Sequence, residues 1–443
     1  MKKSHFISIP LIFLFWVLLF DFSLSYGKIY IDVDSPQFLQ IPIAVDFFNN
    51  QGGIEATGNI SQVISQVMTQ DLEMSGLFRM VDTPPFSDSH ENYGVSGDNK
   101  IKFKDWSLMG AEALVRGSFL CNDNTLEIEA KLYDVFQGRF VMGKKYTGRR
   151  QDLRLMIHRF CNEILLSFTG ESGVFDTKIA FFSDKSGYKE IYFTDFDGYD
   201  TVKITDHKSI ILSPSWSPDG KWIAFTSYKA GNPDIYIKNL ITNKETRISH
   251  RKGLNISPAW SPDGKKLAVT LSIDGNSEIY LLDKNGKKLK RLTRNWAIDV
   301  SPTWSPDGKE IAFVSNRSGR PNIYVMDSRG RNTRRLTFQT GYNVSPNWSP
   351  RGDKIAFSSL EGGCFHIYTM NSDGADLKKL TTNSENNEDP SWSPNGRFIA
   401  FTSTRGGEKE KIVYIMRADG SGQRKLKAFN GRQMNPCWSP KLR

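Results

Sequence analysis

The pentapeptide Trp216-Ser217-Pro218-Asp219-Gly220 decides the fold, because it returns at a fixed interval through the rest of the chain. The same phrase, or a looser copy of it, begins at Trp260, Trp304, Trp348, Trp392 and Trp438. The first four steps are 44 residues each (260−216, 304−260, 348−304, 392−348), and the last is 46 (438−392). A period in the forties with short apolar runs inside each unit is typical of β-propeller blades.

Each repeat also contains three other strand-like runs. An Ile-Ala-Phe-like run begins at Ile179, Ile223, Leu267, Ile311, Ile355 and Ile399. A Tyr-containing run and a short run ending in Leu-Thr or its equivalent follow, so four strands per unit predict an all-β six-bladed propeller. The first unit lacks a preceding Trp-Ser-Pro, and nothing follows the last one. We therefore expect the C-terminal strand to complete the first blade, which leaves no unpaired sheet edge.

Residues 28–168 mix strand and helix patterns and predict an α+β domain. Apolar residues after Asn59, a candidate N-cap, fall on one helical face that Gly76 is placed to end. A second helix is predicted at 153–168, and strands are predicted at 29–33, 41–48, 77–81, 113–120, 125–135 and 140–147. The predicted organisation is a signal peptide at 1–25, the α+β N-terminal domain at 26–170 and the propeller at 171–443.

The N-terminus carries a Sec-type signal pattern, and the charge pattern does not indicate nucleic acid. Lys2 and Lys3 precede an apolar run at 6–20 and the small residues of a cleavage site at 23–25. The run is too short to span a bilayer, so we expect an exported protein without membrane insertion. The net charge is +10, but Lys and Arg scatter through turns such as 284–288 and 327–331. Scattered turn cations are typical of a solvated surface.

The cysteines and the other reactive residues do not predict catalysis. Cys364 and Cys437 lie in repeats that are not neighbours, so we do not expect them to form a disulfide. Cys121 and Cys161 are expected to be buried thiols or, alternatively, a disulfide pair. No Gly-x-Ser-x-Gly occurs, the six histidines are spread out, and the chain ends soon after the predicted blade closure. Residues 195–200 resemble part of a calcium loop, but a plain turn explains them better because the distal Glu is missing. We therefore expect no enzyme, no metal and no cofactor.

The candidate binding residues are those that vary within the fixed frame of the repeats. The segment before each Pro-x-Trp is expected to begin the innermost strand and so to surround the channel. The predicted rim residues are Ser213, Asn255, Ser257, Asp299, Ser301, Asn343, Ser345, Glu388, Asp389 and Asn435. Small polar groups with a few carboxylates suit an inserted peptide or loop. The alternative is that Ser-Pro only shapes the start of the strand.

The whole chain resembles the TolB family of the Gram-negative Tol–Pal envelope system. The resemblance rests on the signal peptide, the mixed N-terminal region, the junction at 173–181 and the six blades. The resemblance implies a periplasmic protein that receives the lipoprotein Pal at the propeller channel. It also implies pairing of a mature N-terminal segment with TolA, here Lys28, Ile29, Tyr30, Ile31, Asp32 and Val33. Outer-membrane proteins are a further class of partner. The implied role is outer-membrane integrity and constriction at cell division, and the competing reading is a secreted propeller hydrolase or glycan-binding protein.

Overall fold

The computed structural model describes residues 39–53, 59–82, 101–407, 410–426, 429 and 431–442. These residues form a mixed α/β sheet domain followed by a ring of six four-stranded sheets, as the repeats predicted. The predicted signal peptide at 1–25 and the predicted strand at 29–33 lie outside the described residues.

The N-terminal domain builds one five-stranded sheet and two long helices. Its elements are β1 (Ile41–Gly53), α1 (Ile60–Ser75), β2 (Phe78–Met80), α2 (Phe103–Leu108), β3 (Ala113–Asn122), β4 (Thr125–Asp134), β5 (Arg139–Arg149) and α3 (Leu153–Thr169). The sheet order is β2-β1-β3-β4-β5, with β1 parallel to β2 and to β3. The helices α1 and α3 pack against each other and against this sheet.

The first long helix follows from its apolar spacing. Ile60, Ile64 and Leu72 are among the residues of α1 that are buried against the sheet. Gly76 ends the helix at φ 74°, a left-handed conformation that glycine adopts without the steric cost of a Cβ. The predicted cap at Asn59 needs correction, because its side chain makes no capping hydrogen bond and only its carbonyl accepts one, from Val63.

The strands of the ring follow in chain order. They are β6 (Lys178–Ser183), β7 (Glu190–Asp195), β8 (Val202–Lys203), β9 (Ile211–Trp216), β10 (Trp222–Ser227), β11 (Asp234–Asn239), β12 (Glu245–Ser249), β13 (Asn255–Trp260), β14 (Lys266–Leu271), β15 (Glu278–Asp283), β16 (Lys288–Arg291), β17 (Asp299–Trp304), β18 (Glu310–Ser315), β19 (Asn322–Asp327), β20 (Arg334–Arg335), β21 (Asn343–Trp348), β22 (Lys354–Glu361), β23 (Cys364–Asn371), β24 (Lys378–Lys379), β25 (Asn387–Trp392), β26 (Phe398–Ser403), β27 (Ile412–Arg417), β28 (Arg424–Lys425) and β29 (Met434–Trp438).

The last strand closes the ring. Blade 1 has the order β29-β6-β7-β8, so the C-terminal strand completes the first sheet as predicted. Blades 2 to 6 are β9–β12, β13–β16, β17–β20, β21–β24 and β25–β28, each with the Trp strand innermost. Trp438 pairs with Ile179, and Ser439 Oγ accepts a 3.0 Å hydrogen bond from the Lys178 amide. Closure leaves the innermost edges facing one another around a central channel.

The repeated tryptophans join neighbouring blades. The Trp304 indole N–H donates to the Ala259 carbonyl of the preceding blade at 3.1 Å, and Trp392 does the same to Asn347. Trp216 donates to Cys437, which connects blade 2 to the closing strand. The indole therefore supplies both apolar area and a satisfied donor at these junctions. This agrees with the prediction that the repeated phrase is scaffold.

The ring has two distinct faces. We call the face on which the innermost strands begin the upper face, and the face on which they end the lower face. The N-terminal domain docks on the lower face, where Glu171 pairs with Arg351 and Arg397 in the turns that follow β21 and β25. Asn162 of α3 also donates to Asp176 at 2.7 Å. The upper face is thus opposite the docked domain.

Candidate functional site

The channel of the ring encloses about 290 Å³ and is lined by the same three positions of every blade. Each blade contributes a polar residue, the following proline and the residue after it. The polar residues are Ser213, Ser257, Ser301, Ser345, Asp389 and Asn435. Six of the ten predicted rim residues are therefore brought together, although their role in binding a partner stays a prediction.

These six residues point into the channel because the backbone is bulged there. Ser257 and Pro258 together oppose the single residue Val269, and proline has no N–H to pair with the neighbouring strand. All six adopt positive φ, with values such as 52° at Ser257 and 56° at Asp389. For a residue with a Cβ, this left-handed conformation costs about 1–2 kcal/mol. The bulge turns the side chain away from the blade interface, so the strain is located at the channel wall.

A hydroxyl of the preceding blade holds three of the bulges. The Asp389 amide donates to Ser358 Oγ at 3.0 Å, and the Asn435 amide donates to Thr402 Oγ1 at 3.0 Å. The Ser257 amide makes a longer bond of this kind, 3.3 Å, to Thr226. The backbone donors of these three bulges are thereby satisfied without the channel-facing side chains.

Asp389 is the one acidic residue among the described residues that line the channel. Burial raises the pKa of its carboxyl above the usual value, while a hydrogen bond from Ser345 and the charge of Lys411 oppose that rise. The adjacent Glu388 does not line the channel and forms a 2.8 Å ion pair with Lys411. The channel thus has a polar wall with one carboxylate that an incoming donor can engage.

The structure places three of the predicted rim residues away from the channel. Asn255, Asp299 and Asn343 are fully buried and do not line the channel. The Asn255 Oδ1 accepts from Ser249 at 2.6 Å, and Asp299 accepts from Arg317 at 2.8 Å. Side chains of a regular innermost strand point toward the neighbouring sheets, since only the edge of the strand faces the channel. These residues therefore stabilise loops within the ring.

An apolar arc on the upper face was missed from the sequence. Ile210, Leu254, Ile298 and Tyr342 are exposed and each immediately precedes an innermost strand, in blades 2 to 5. Their carbonyls accept equivalent backbone hydrogen bonds from the next hairpin, so they occupy equivalent positions. They are 44 residues apart (254−210, 298−254, 342−298), and this spacing could have revealed them. Exposed apolar side chains that recur at one position of successive blades indicate a protein-binding face.

Two further aromatic residues lie in the upper-face loops beside this arc. Trp296 is 76 % exposed and Phe338 is 71 % exposed. Large aromatic side chains are enriched among the residues that dominate protein interfaces. The mouth of the channel thus combines a polar centre with an apolar surround.

The remaining predictions concern the N-terminal segment, the cysteines, metal binding and membrane insertion. The predicted TolA segment 28–33 lies outside the described residues. The four cysteines are free. Cys121 and Cys161 are buried thiols, which is the first of the two alternatives that the sequence left open. In the part of the chain that the structure describes, no group of three or more metal-binding side chains is close enough to hold an ion. No helix among those residues is long and apolar enough to cross a membrane.

Comparison with known proteins matches both parts of the chain. The family model described as TolB beta propeller domain matches residues 166–442, and the one described as TolB amino-terminal domain matches residues 29–141. A Tol-Pal system protein TolB from Syntrophotalea carbinolica is 44% identical over 162 residues, 37% of this chain and 37% of that relative. Another from Desulfosudis oleivorans is 43% identical over 194 residues, 44% of each chain. The matched segments thus span less than half the length of these relatives.

A solved structure extends the match in three dimensions. The crystal structure of TolB from Acinetobacter baumannii is similar with a TM-score of 0.78 and 29% sequence identity. The likeness covers 91% of this chain and 97% of that chain, so it includes both the N-terminal domain and the ring.

Proposed function

The chain belongs to the TolB family, and from that premise we propose that it is a non-enzymatic periplasmic component of a Tol–Pal envelope complex. In this proposal the channel mouth on the upper face binds the lipoprotein Pal, and the N-terminal segment 28–33 binds TolA. The complex supports outer-membrane integrity and constriction at cell division. The protein contributes contacts between partners and catalyses no reaction.

The observation that carries the proposal is the composition of the upper face. A ring of six polar residues surrounds the channel, and exposed apolar residues lie beside it on four successive blades. An apolar surface with convergent polar groups at its centre suits a folded partner that inserts a loop into the mouth. The N-terminal domain occupies the opposite face, so it leaves this mouth accessible.

The TolA role rests on the pattern of the N-terminal segment. Ile29, Ile31 and Val33 alternate with Tyr30 and Asp32, which is the pattern of a strand with one apolar side. Such a segment can add to the exposed edge of a partner's sheet, where main-chain hydrogen bonds supply affinity. In its other role the same segment is an ordinary first strand of its own domain.

The two binding events are proposed to share one equilibrium. Pal in the channel shifts the N-terminal segment between docked and released states, and therefore changes the affinity for TolA. Linkage requires TolA to change the affinity for Pal by the same factor, which for such couplings is about 5–150.

Deletion of residues 28–33 tests this division of labour. Binding of purified TolA and purified Pal would be measured by calorimetry with the intact protein, with the deletion and with a variant in which these six residues are reordered. The deletion is expected to abolish TolA binding and to leave Pal binding measurable. Equal loss of both partners would show that the segment does not serve TolA alone.

Capture from an envelope extract separates the proposal from its competitor. The immobilised protein is expected to retain a peptidoglycan-binding lipoprotein. Turnover of glycan or peptide without a retained protein partner would instead support a secreted enzyme or a glycan-binding propeller, and would overturn the proposal.

A further inference from the structure

A second cavity, of about 370 Å³, lies between the outer parts of blades 3 and 4. Five of the residues that line it are cationic, namely Lys290, Arg291, Arg294, Arg317 and Arg329. Within the described part of the chain, no Asp or Glu lines this cleft. The cations come from sequence-distant turns and a strand, which the fold brings together.

Two of the four arginines are fixed in place by carboxylates behind the cleft. Arg291 donates to Asp274 at 2.7 Å and to Glu278 at 3.1 Å. Arg317 donates to Asp299 at 2.8 Å. These ion pairs neutralise part of the charge and hold the guanidinium groups in defined positions, which reduces the entropy that a ligand would otherwise have to overcome.

The other three cations keep donors available to a ligand. Among the described residues, the guanidinium groups of Arg294 and Arg329 have no hydrogen-bond or ion-pair partner. Lys290 donates to the Arg329 carbonyl at 2.8 Å, which uses one of its three N–H groups and fixes the ammonium beside the cleft. The cleft therefore carries three cations without a compensating carboxylate.

The repeats supply an internal comparison. The turn glycine Gly330 packs against the Leu292 carbonyl, and Gly286 and Gly374 do the same one repeat away, against Ile248 and Leu336. The scaffold of the cleft is thus common to several blades.

Three of the five charges of the cleft are absent from the equivalent positions of the neighbouring blades. One repeat further on (+44), the positions of Arg294, Arg317 and Arg329 hold Phe338, Glu361 and Asp373. One repeat earlier (−44), the same positions hold His250, Ile273 and Asn285. The positions of Lys290 and Arg291 hold Arg334 and Arg335 at +44, and Thr246 and Arg247 at −44. The charges that distinguish this cleft from its two neighbours are therefore those of Arg294, Arg317 and Arg329.

We propose that the cleft between blades 3 and 4 binds a phosphate-bearing anion, of the size of one or two phosphate groups. Arginine recognises phosphate oxygens through charge-assisted, often paired hydrogen bonds, and Arg294 and Arg329 have these donors unused. Lys290 adds a point charge beside Arg329. The phosphate could belong to a soluble anion or to the headgroup of an anionic lipid, which offer the same chemistry to the cleft.

Two probes and two double variants test this site in the full-length mature protein. Pyrophosphate binding is measured by calorimetry, and lipid binding by flotation with vesicles of phosphatidylglycerol or of phosphatidylcholine. The test variant is Arg294→Gln with Arg329→Gln. The control variant is Arg79→Gln with Arg159→Gln, which removes two exposed arginines of the N-terminal domain and changes the net charge equally. Thermal unfolding confirms that both variants fold.

Pyrophosphate affinity is expected to fall by about tenfold or more in the test variant and by less than about twofold in the control. Binding should also weaken with salt, since exposed cations are screened. If phosphatidylglycerol vesicles show the same dependence on Arg294 and Arg329, the source is a lipid headgroup, and if only pyrophosphate does, it is a soluble anion. Equal losses in both variants, or no binding of either probe, would overturn the proposal.

Discussion

Ser345 Oγ donates a hydrogen bond of 2.8 Å to Asp389 Oδ1, which links two neighbouring blades across the channel wall. Both residues occupy the bulged position that turns side chains into the channel. An incoming partner that donates a hydrogen bond to Asp389 must therefore compete with Ser345 or complete the remaining acceptor capacity of the carboxylate.

Asp389→Asn is expected to weaken Pal binding by about fivefold, or ~1 kcal/mol, because it replaces a charged acceptor with a neutral one. The fold should tolerate it, since Asn435 occupies the equivalent position of blade 1 with φ 52°. Calorimetric titration with Pal measures the loss. Asp373→Asn in a lower-face turn is the matched control, and a similar loss in that variant would remove Asp389 from the binding site.

The apolar arc predicts a larger effect on the same partner. Leu254→Gln combined with Ile298→Gln is expected to weaken Pal binding by about tenfold or more, since each exposed side chain would lose an apolar contact worth on the order of 1 kcal/mol. The thermal midpoint should hardly change. The double variant Ile241→Gln with Leu108→Gln alters exposed apolar residues elsewhere and should bind Pal normally.

If the two double variants bind Pal equally well, the arc is not part of the interface. The upper-face proposal would then rest on the polar channel alone.

Backbone strain at the channel wall can be measured at Ser301, which has φ 55°. Ser301→Gly is expected to be neutral or to stabilise the protein by up to ~1 kcal/mol, because glycine adopts positive φ without a Cβ clash. Ser301→Val should destabilise it by about 1–3 kcal/mol, because a β-branched residue fits this region poorly. Urea unfolding measures both.

Thr303, two residues further along the same strand, provides the opposite control. It has no positive φ and lies in the regular part of β17, so Thr303→Gly should destabilise the protein by about 0.5–1 kcal/mol. If glycine were equally favourable at both positions, the conformation of Ser301 would not be strained.

The sequence was sufficient for the architecture, because the period of the Trp-Ser-Pro phrase counts the blades and its phase locates the closing strand. It was less sufficient for the site. Asn255 was expected on the rim because it adjoins Ser257 in the sequence, but only the bulged position faces the channel, and Asn255 is fully buried in the regular strand before the bulge. At Ser257 the bulge is also held by a hydroxyl of the neighbouring blade, Thr226, and no local pattern reveals this contact.

The cationic cleft between blades 3 and 4 was likewise not predictable from the sequence. The turns at 284–288 and 327–331 look like scattered solvated cations along the chain. In the fold, Lys290 contacts Arg329, so residues close to or within both turns share one cleft. Proximity of this kind comes from blade stacking and is visible in a sequence only when equivalent positions of the repeats are compared.

The buried histidine at the domain interface gives the last prediction. His158 of α3 lies between two carboxylates, with Nδ1 2.7 Å from Asp71 Oδ2 and Nε2 3.2 Å from Asp197 Oδ2. Asp71 belongs to α1 and Asp197 to a lower-face turn of blade 1, so the imidazolium joins both helices to the ring. Arg154 pairs with the same Asp197.

Burial alone would lower the pKa of His158, but the two carboxylates outweigh it and raise the pKa to about 10. In the unfolded chain the value is about 6.5. The stabilisation is therefore fully present below pH ~6.5 and is lost as the pH rises through about 10. The thermal midpoint of the protein should therefore decrease as the pH is raised from 7 to 10.

His158→Gln should lose on the order of 3 kcal/mol of stability at neutral pH, because it removes the cation that Asp71 contacts and leaves Asp197 with Arg154 alone. It should also remove most of the alkaline decline, which scanning calorimetry at several pH values would resolve. His366→Gln is the control, since burial lowers the pKa of His366 and keeps it neutral throughout this range. A decline in His158→Gln as steep as in the parent protein would mean that another group titrates at the interface.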